Sequence, residues 1–380
     1  MRILQVISTL NPEYGGPVEG LKQMIIELKN QNHSVEVATL DIETSTWIKF
    51  FPCRVHTFGK SYFNYRLNFS LFFWLIKNKH NYDSVIVNGV WQFHGLAVSW
   101  ALRNCKTPYY IYTHGMLDPW FKTAFPMKHF KKLLYWILFE KKNLSLARKT
   151  LYTTDDEMVL ARKSFADLPA NGRVVGFGIK GGPAINTNHK KDFYRKFPHL
   201  KNKKFYLFLG RIHPKKGCDL LVKAFNQFSD KNQSYEILFL GPDNNNWAKS
   251  LKLITANLPI SKKITWGGMV DEKTKWTALS LANAFVLPSH SENFGAVVPE
   301  ALSCKLPVLT TNKVNIWREI LKFNAGYVSS DSINSFGKLF LLWERLSSKE
   351  IEIIKINSRK CFRLCFDVKN AVKRLISELK

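Results

Sequence analysis

The sequence predicts an α/β protein made of two doubly wound parallel sheets. Short, near-continuous apolar runs alternate with amphipathic stretches along the chain, the pattern of strands buried on both faces with helices between them. The alternation restarts near residue 205, after a stretch rich in Gly, Asn, Lys and Pro. A length of 380 residues, 46% hydrophobic and 14% aromatic, is enough to fill two cores.

The expected strands of the first half are RILQVIS (2–8), SVEVATL (34–40), SVIVNG (84–89), YYIYTHG (109–115), TLYTT (150–154) and RVVGFGI (173–179). Those of the second are FYLFLGRI (205–212), YEILFLGP (235–242), KITWGG (263–268), AFVLPS (284–289) and PVLTT (307–311). The spacing sets an N-terminal domain over 1–185, a linker over 186–204 and a C-terminal domain over 205–350. Residues 351–380 read as a helical tail placed to pack back on the N-terminal domain. Sites in such sheets lie beyond the carboxyl ends of the strands, and two facing sheets put a substrate in the cleft between them.

With 56 Lys and Arg against 29 Asp and Glu, the net charge is +27. That balance favours a polyanionic partner: nucleic acid, an acidic membrane surface or phosphorylated substrates. No helix-turn-helix, RNP-type or zinc-finger pattern supports nucleic acid. MRILQVIST lacks the regions of a signal peptide, and the apolar run SLFFWLI stops at Lys77, far short of a spanning helix. Six scattered cysteines without a CxxC pair suit a reduced, cytoplasmic protein.

Two stretches carry chemistry. FLGRIHPKKG (208–217) ends a strand and leads into a helix, with Arg211 and Lys216 bracketing a turn between Gly210 and Gly217. Cations before a helix N-terminus suit an anion, although by itself the stretch reads equally as a solvated basic loop. SHSENFGAVVPEAL (289–302) follows a later strand and sets Glu292 eight positions before Glu300. Asn293, Phe294 and Gly295 would present backbone amides where the next helix starts. Glu300 alone could merely complement the helix dipole, and Glu292 could be an ordinary loop carboxylate.

Together these residues resemble the retaining glycosyltransferases of family 4, which have the GT-B fold of two facing Rossmann-like domains. Glu292 and Glu300 match the family's E-x7-E signature, and Gly210-Arg211 with Lys216-Gly217 match its G-R-x4-K-G loop. Tyr14-Gly15-Gly16-Pro17 looks like its glycine-rich first loop, and Asn32-His33 stands where many members have Gly-His. THGMLDPW (113–120) resembles a segment of a subgroup that builds bacterial surface polysaccharides.

The resemblance implies a donor site in which Arg211 and Lys216 bind the diphosphate of a nucleotide-diphosphate sugar and Glu300 binds its ribose. Glu292, with Asn293, Phe294 and Gly295, would contact the transferred sugar, and Gly16 would let the N-terminal backbone approach a substrate. It implies catalytic roles for His114 and Glu292, although His114 by itself reads as a hydrogen-bonded structural histidine. The acceptor would be a glycan or lipid-linked oligosaccharide. Fixed cations would stand where other glycosyltransferases use a metal at a D-x-D pair, which this chain lacks, so no metal and no cofactor is expected. Lys305 departs from a family glycine and implies a different helix cap or strain, and Asn293 departs from a small residue.

Residues 121–149 mix lysines with Phe, Tyr, Trp and Leu at helical spacing. They read either as a helix with a core-facing aromatic side or as an interfacial helix drawn to anionic lipid. The expectation is thus an enzyme on the inner face of the cytoplasmic membrane. The alternatives are a nucleotide-sugar epimerase of similar architecture and a basic nucleic-acid- or membrane-binding protein.

Overall fold

The computed structural model describes residues 1–59, 61–119, 126–165, 167–228, 235–243 and 246–380. The chain divides into two compact units, Met1–Ile179 with Val368–Lys380, and Lys180–Asp367.

In the first unit, β1 (Arg2–Ile7), β2 (Ser34–Thr39), β3 (Arg54–Thr57), β4 (Ser84–Asn88), β5 (Tyr109–Tyr112), β6 (Lys149–Tyr152) and β7 (Gly172–Val174) form one parallel sheet. Its order is β3-β2-β1-β4-β5-β6-β7. The winding reverses between β1 and β4, which pair from Ile3–Ser84 to Ile7–Asn88. β4 is buried along its length, and Val6, Val85, Val87, Phe93, Ile111 and Trp136 share one core. Helix Val368–Leu379 completes this unit with buried Val372, Leu375 and Ile376. Lys149 pairs with Glu378 at 2.5 Å, and Arg374 Nε donates to Val175 O at 2.9 Å. The chain passes so close at Gly178 that a Cβ would stand 2.3 Å from Val368 Cα.

In the second unit, β8 (Lys204–Leu209), β9 (Tyr235–Leu240), β10 (Ile264–Gly268), β11 (Ala284–Leu287), β12 (Val308–Thr311) and β13 (Gly326–Ser329) form a parallel sheet ordered β10-β9-β8-β11-β12-β13. The reversal falls between β8 and β11. A reversal of winding opens a crevice at the carboxyl ends of the two strands, the ligand position of doubly wound sheets.

The eleven apolar runs each overlap a strand, that at RVVGFGI by only two residues, while β3 and β13 lie outside them. Both are edge strands with mostly half-buried residues, and RVHT and GYVS carry no continuous apolar run because an edge has less to bury. The linker reading of 186–204 is corrected. Thr187–Lys196 is a helix with a capping box between Asn186 and His189, and it belongs to the second unit. Its anchors are Phe193, Phe197 and Leu200, all buried, standing at helical spacing among lysines.

Three helices end alike. After Gly16–Asn30, Val297–Ser303 and Trp317–Lys322, residues Asn32, Lys305 and Asn324 adopt φ of 61°, 60° and 49°. The next amides, of His33, Leu306 and Ala325, donate back to Leu28, Ala301 and Ile320 carbonyls at 3.0, 3.0 and 2.9 Å. This left-handed cap satisfies carbonyls that the helix leaves open, and two asparagines accept it at low cost where Lys305 is strained. Among the described residues no helix is long and apolar enough to cross a membrane.

Candidate functional site

In the second unit the loops after β8 and β11 meet because the strands are neighbours. The first loop turns through Pro214–Lys216, where His213 Nδ1 accepts from Lys215 N at 3.1 Å. Burial, reinforced by Arg211, Lys215 and Lys216, holds the His213 pKa below its ordinary value, so its ring nitrogen stays an acceptor. Gly217 follows at φ 66°, and a Cβ on it would stand 1.9 Å from Pro288 O in the second loop. His290 N donates to Lys215 O at 3.0 Å.

That packing brings Lys216 Nζ onto Glu292 Oε2 as a half-buried ion pair. Glu292 is fixed by its own backbone, whose N–H donates to Lys313 O at 2.9 Å and whose carbonyl accepts from Asn315 N at 3.0 Å. Arg211 is exposed on the same loop as Lys216. Asn293 Oδ1 accepts from Asn315 Nδ2 at 3.3 Å. The Phe294 side chain is buried edge-on against Phe366, with ring centres 5.9 Å apart, so what it offers a ligand is backbone. Gly295 sits at φ 58°, where a Cβ would stand 3.0 Å from Glu292 Cγ.

Glu300, on helix Val297–Ser303, is held by a residue that sequence reasoning missed. Lys275 Nζ lies 2.7 Å from Glu300 Oε1 and 3.4 Å from Glu272 Oε1, 4.8 Å from the centre of the Trp276 ring. Burial pulls the Lys275 pKa down, but Glu300 and Glu272 more than offset it and leave it raised. Lys275 comes from a different helix, Glu272–Leu281, and no spacing in the sequence announces the pair. His290, which follows β11, bridges Asp331 at 2.7 Å and Asp219 at 3.8 Å, and its pKa is raised mainly by Asp219.

His114 belongs to the first unit, just past β5, at φ 48°. Its ring stacks on Tyr112 at 5.1 Å and meets Phe177 edge-on at 5.3 Å. Its Nε2 lies 3.1 Å from Asn88 Oδ1, and Asn88 Nδ2 donates to Gln5 Oε1 at 2.8 Å. With the Asn88 amide nitrogen committed to Gln5, its oxygen faces the histidine, which assigns the proton to Nε2 and the lone pair to Nδ1. Burial lowers the His114 pKa to about 4, so the ring is neutral at physiological pH.

The turn that carries His114 is tied down by buried Glu157, which accepts from Thr113 Oγ1, Gly115 N and the Thr153 backbone and hydroxyl. Thr154-x-x-Glu157 is a capping pattern that the sequence could have yielded. Gly16 opens helix Gly16–Asn30 with open space where a Cβ would stand. Trp120, the last residue of the THGMLDPW segment, and residues 121–125 lie outside the described residues.

Residues 190–360, inside the second unit, match the family described as Glycosyl transferases group 1. The chain is 27% identical to the 2-deoxystreptamine N-acetyl-D-glucosaminyltransferase of Niallia circulans over 252 residues, 63% of this chain and 61% of the relative. It is 27% identical to the O-antigen chain mannosyltransferase RfbU of Salmonella typhimurium over 151 residues, 40% of each. The matches therefore span less than two thirds of either relative. Anabaena Alr3699/HepE, solved in complex with UDP, shares the fold with a TM-score of 0.79 at 15% identity over 99% of both chains. The fold is that of the GT-B glycosyltransferases, with two Rossmann-like halves.

Proposed function

We propose that this protein is a retaining glycosyltransferase that moves a sugar from a nucleotide-diphosphate donor to a lipid-linked glycan in surface-polysaccharide synthesis. The observation that carries the reading is the pairing of both signature glutamates with lysines near the β8–β11 reversal, Glu292 with Lys216 and Glu300 with Lys275, inside the segment that matches the glycosyl transferase family.

Each part has a chemical task. Arg211 and Lys216 offset the charge that develops on the departing diphosphate. In the resting site Glu292 holds the Lys216 charge, and an arriving diphosphate competes for it. Glu300 accepts hydrogen bonds from the ribose diol while Lys275 keeps its carboxylate oriented. Departure and attack on one face of the sugar would preserve its configuration. His114, neutral and with Nδ1 as acceptor, suits a hydroxyl of the reacting sugars.

RfbU, named for O-antigen, supports a polysaccharide setting. Helix Pro126–Tyr135 and the turn Trp136–Glu140 after it expose Phe130, Leu134, Ile137 and Leu138 beside Lys131, while Trp136 is buried. This basic, apolar face suits peripheral contact with an anionic membrane.

The test is thermal stabilisation by UDP, GDP, ADP, dTDP and CMP. One nucleotide should raise the transition selectively. Arg211→Ala and Glu300→Ala should lose the shift, and folded variants that keep it would overturn the site assignment.

A further inference from the structure

We propose that His290 is a positioning residue for the donor diphosphate, a charged clamp that fixes the turn carrying Lys216. The role rests on the donor reading above. His290 stands two residues before Glu292 and belongs to neither charged pair of the site.

The clamp has two grips on the cation loop. By its backbone, His290 N donates to Lys215 O at 3.0 Å, on the turn Pro214–Lys216. By its ring, Nε2 stands 3.8 Å from Asp219 Oδ1, in the first turn of helix Cys218–Phe228, which begins where the loop ends. That separation is an ion pair rather than a hydrogen bond. Lys216 lies in the chain between these two points. One residue thus ties both the turn and the exit of the loop to the end of β11.

The ring is anchored on a third element. Nδ1 lies 2.7 Å from Oδ1 of Asp331, between β13 and helix Ile333–Glu344. That helix meets helix Cys218–Phe228 again where Gln227 Nε2 donates to Asn334 Oδ1 at 3.0 Å. A neutral imidazole has a single N–H and would turn a lone pair on one of the two carboxylates. Only the imidazolium offers a proton to each.

The charged groups around the ring are Asp219 and Asp331, with exposed Lys223 3.6 Å from Asp219, and Lys215 and Lys216 on the turn. Lys216 is already paired with Glu292. Loss of the ring proton leaves two carboxylates with no cation between them, beside a turn that must attract a diphosphate. Asp219 raises the His290 pKa above 6.5, with burial opposing and Asp331 adding. The charge is therefore complete below the ordinary value and lost as pH rises through the raised one. His213, on the same loop, is held down and stays neutral over that window. A terminal phosphate completes its ionisation at about pH 6–7, which favours binding as pH rises, so a fall in affinity has the opposite sign.

The probes are the nucleotide that stabilises the protein in the thermal screen and inorganic pyrophosphate, titrated calorimetrically into the full chain from about pH 6.5 to 9. Wild-type affinity for both should fall by about 5-fold or more across that range. His290→Gln, which keeps the backbone grip without the charge, should bind weakly throughout, with a flat profile. His290→Lys, charged throughout, should recover affinity and also lose the dependence. Nitrogen-correlated NMR should place the His290 midpoint above 6.5. Asp331→Asn should lower that midpoint and move the affinity profile with it, a second arm that stands even where a His290 variant does not fold.

Equal pH profiles in wild type and His290→Gln, or an affinity profile that ignores Asp331→Asn, would overturn the clamp. A nucleotide shift that Glu300→Ala still abolishes would then leave the donor reading intact. A raised His290 midpoint in a protein that binds neither nucleotide nor pyrophosphate would instead overturn the donor reading, and this role with it.

Discussion

Replacing Lys275 by methionine should destabilise the second unit by about 2 kcal/mol. Removing one partner of a fully buried ion pair costs roughly 3–5 kcal/mol, because the other charge is left without compensation. Here the Lys275 and Glu300 side chains are 19% and 12% exposed, so water recovers part of that loss. Methionine also keeps a stem that can pack on Trp276. About 2 kcal/mol in a unit of this size lowers its melting temperature by roughly 4–8 °C. The raised Lys275 pKa gives the sign of the pH dependence. The pair stabilises fully below the ordinary lysine value and is lost only as pH rises through the raised one, so at pH 7 the whole effect is present. The assay is thermal unfolding of Lys275→Met, Glu300→Gln and the double variant. The double variant should lose less than the sum of the singles, because it leaves no orphaned charge. Nucleotide stabilisation should shrink in Lys275→Met if the lysine orients Glu300. A Lys275→Met protein that melts within 1 °C of wild type, with an additive cycle, would refute the reasoning.

Two further outcomes follow from the backbone and from the histidines. Lys305→Gly should stabilise the protein by about 1 kcal/mol, seen as a higher melting temperature, because glycine accepts the left-handed cap after helix Val297–Ser303 that lysine adopts under strain. His114 and His94 are both pushed down to about 4 by burial, so the folded first unit refuses protons that the unfolded chain takes. Stability should therefore fall as pH drops from the unfolded histidine value of about 6.5 towards 4, by as much as about 3 kcal/mol per residue. Nitrogen-correlated NMR should show both rings neutral from pH 5.5 to 8; a His114 midpoint near 6.5 would contradict its buried setting.

The inner strands were legible because a strand covered on both faces must be apolar along most of its length, as FYLFL and VIV are. The edges β3 and β13 escaped because burial asks less of them. The residues around Glu292 were legible for a local reason: a strand end, a turn with glycine at positive φ and the next helix follow each other within one short segment. Lys275 was not, since its pairing with Glu300 depends on how two helices pack. Asn88 and Gln5 were invisible for the same kind of reason, standing on β4 and β1 while the histidine they orient follows β5. The stretch 121–149 was ambiguous because its apolar residues divide. Trp136 and Leu144 turn into the core while Phe130 and Ile137 face outward, and a turn of π-helix at Trp136–Glu140 shifts the register that sequence periodicity assumes.

The return of helix Val368–Leu379 to the first unit sets an order of events during synthesis. Residues 180–367, the whole second unit, must leave the ribosome before the first unit acquires its last element. At ordinary rates of translation that interval is roughly 10–40 s. Through it, the surface that Leu375 and Ile376 will cover is exposed, and Lys149 waits for Glu378. The first half of the chain to be made is thus the last to be finished, and its nascent form is the species most in need of protection from its neighbours.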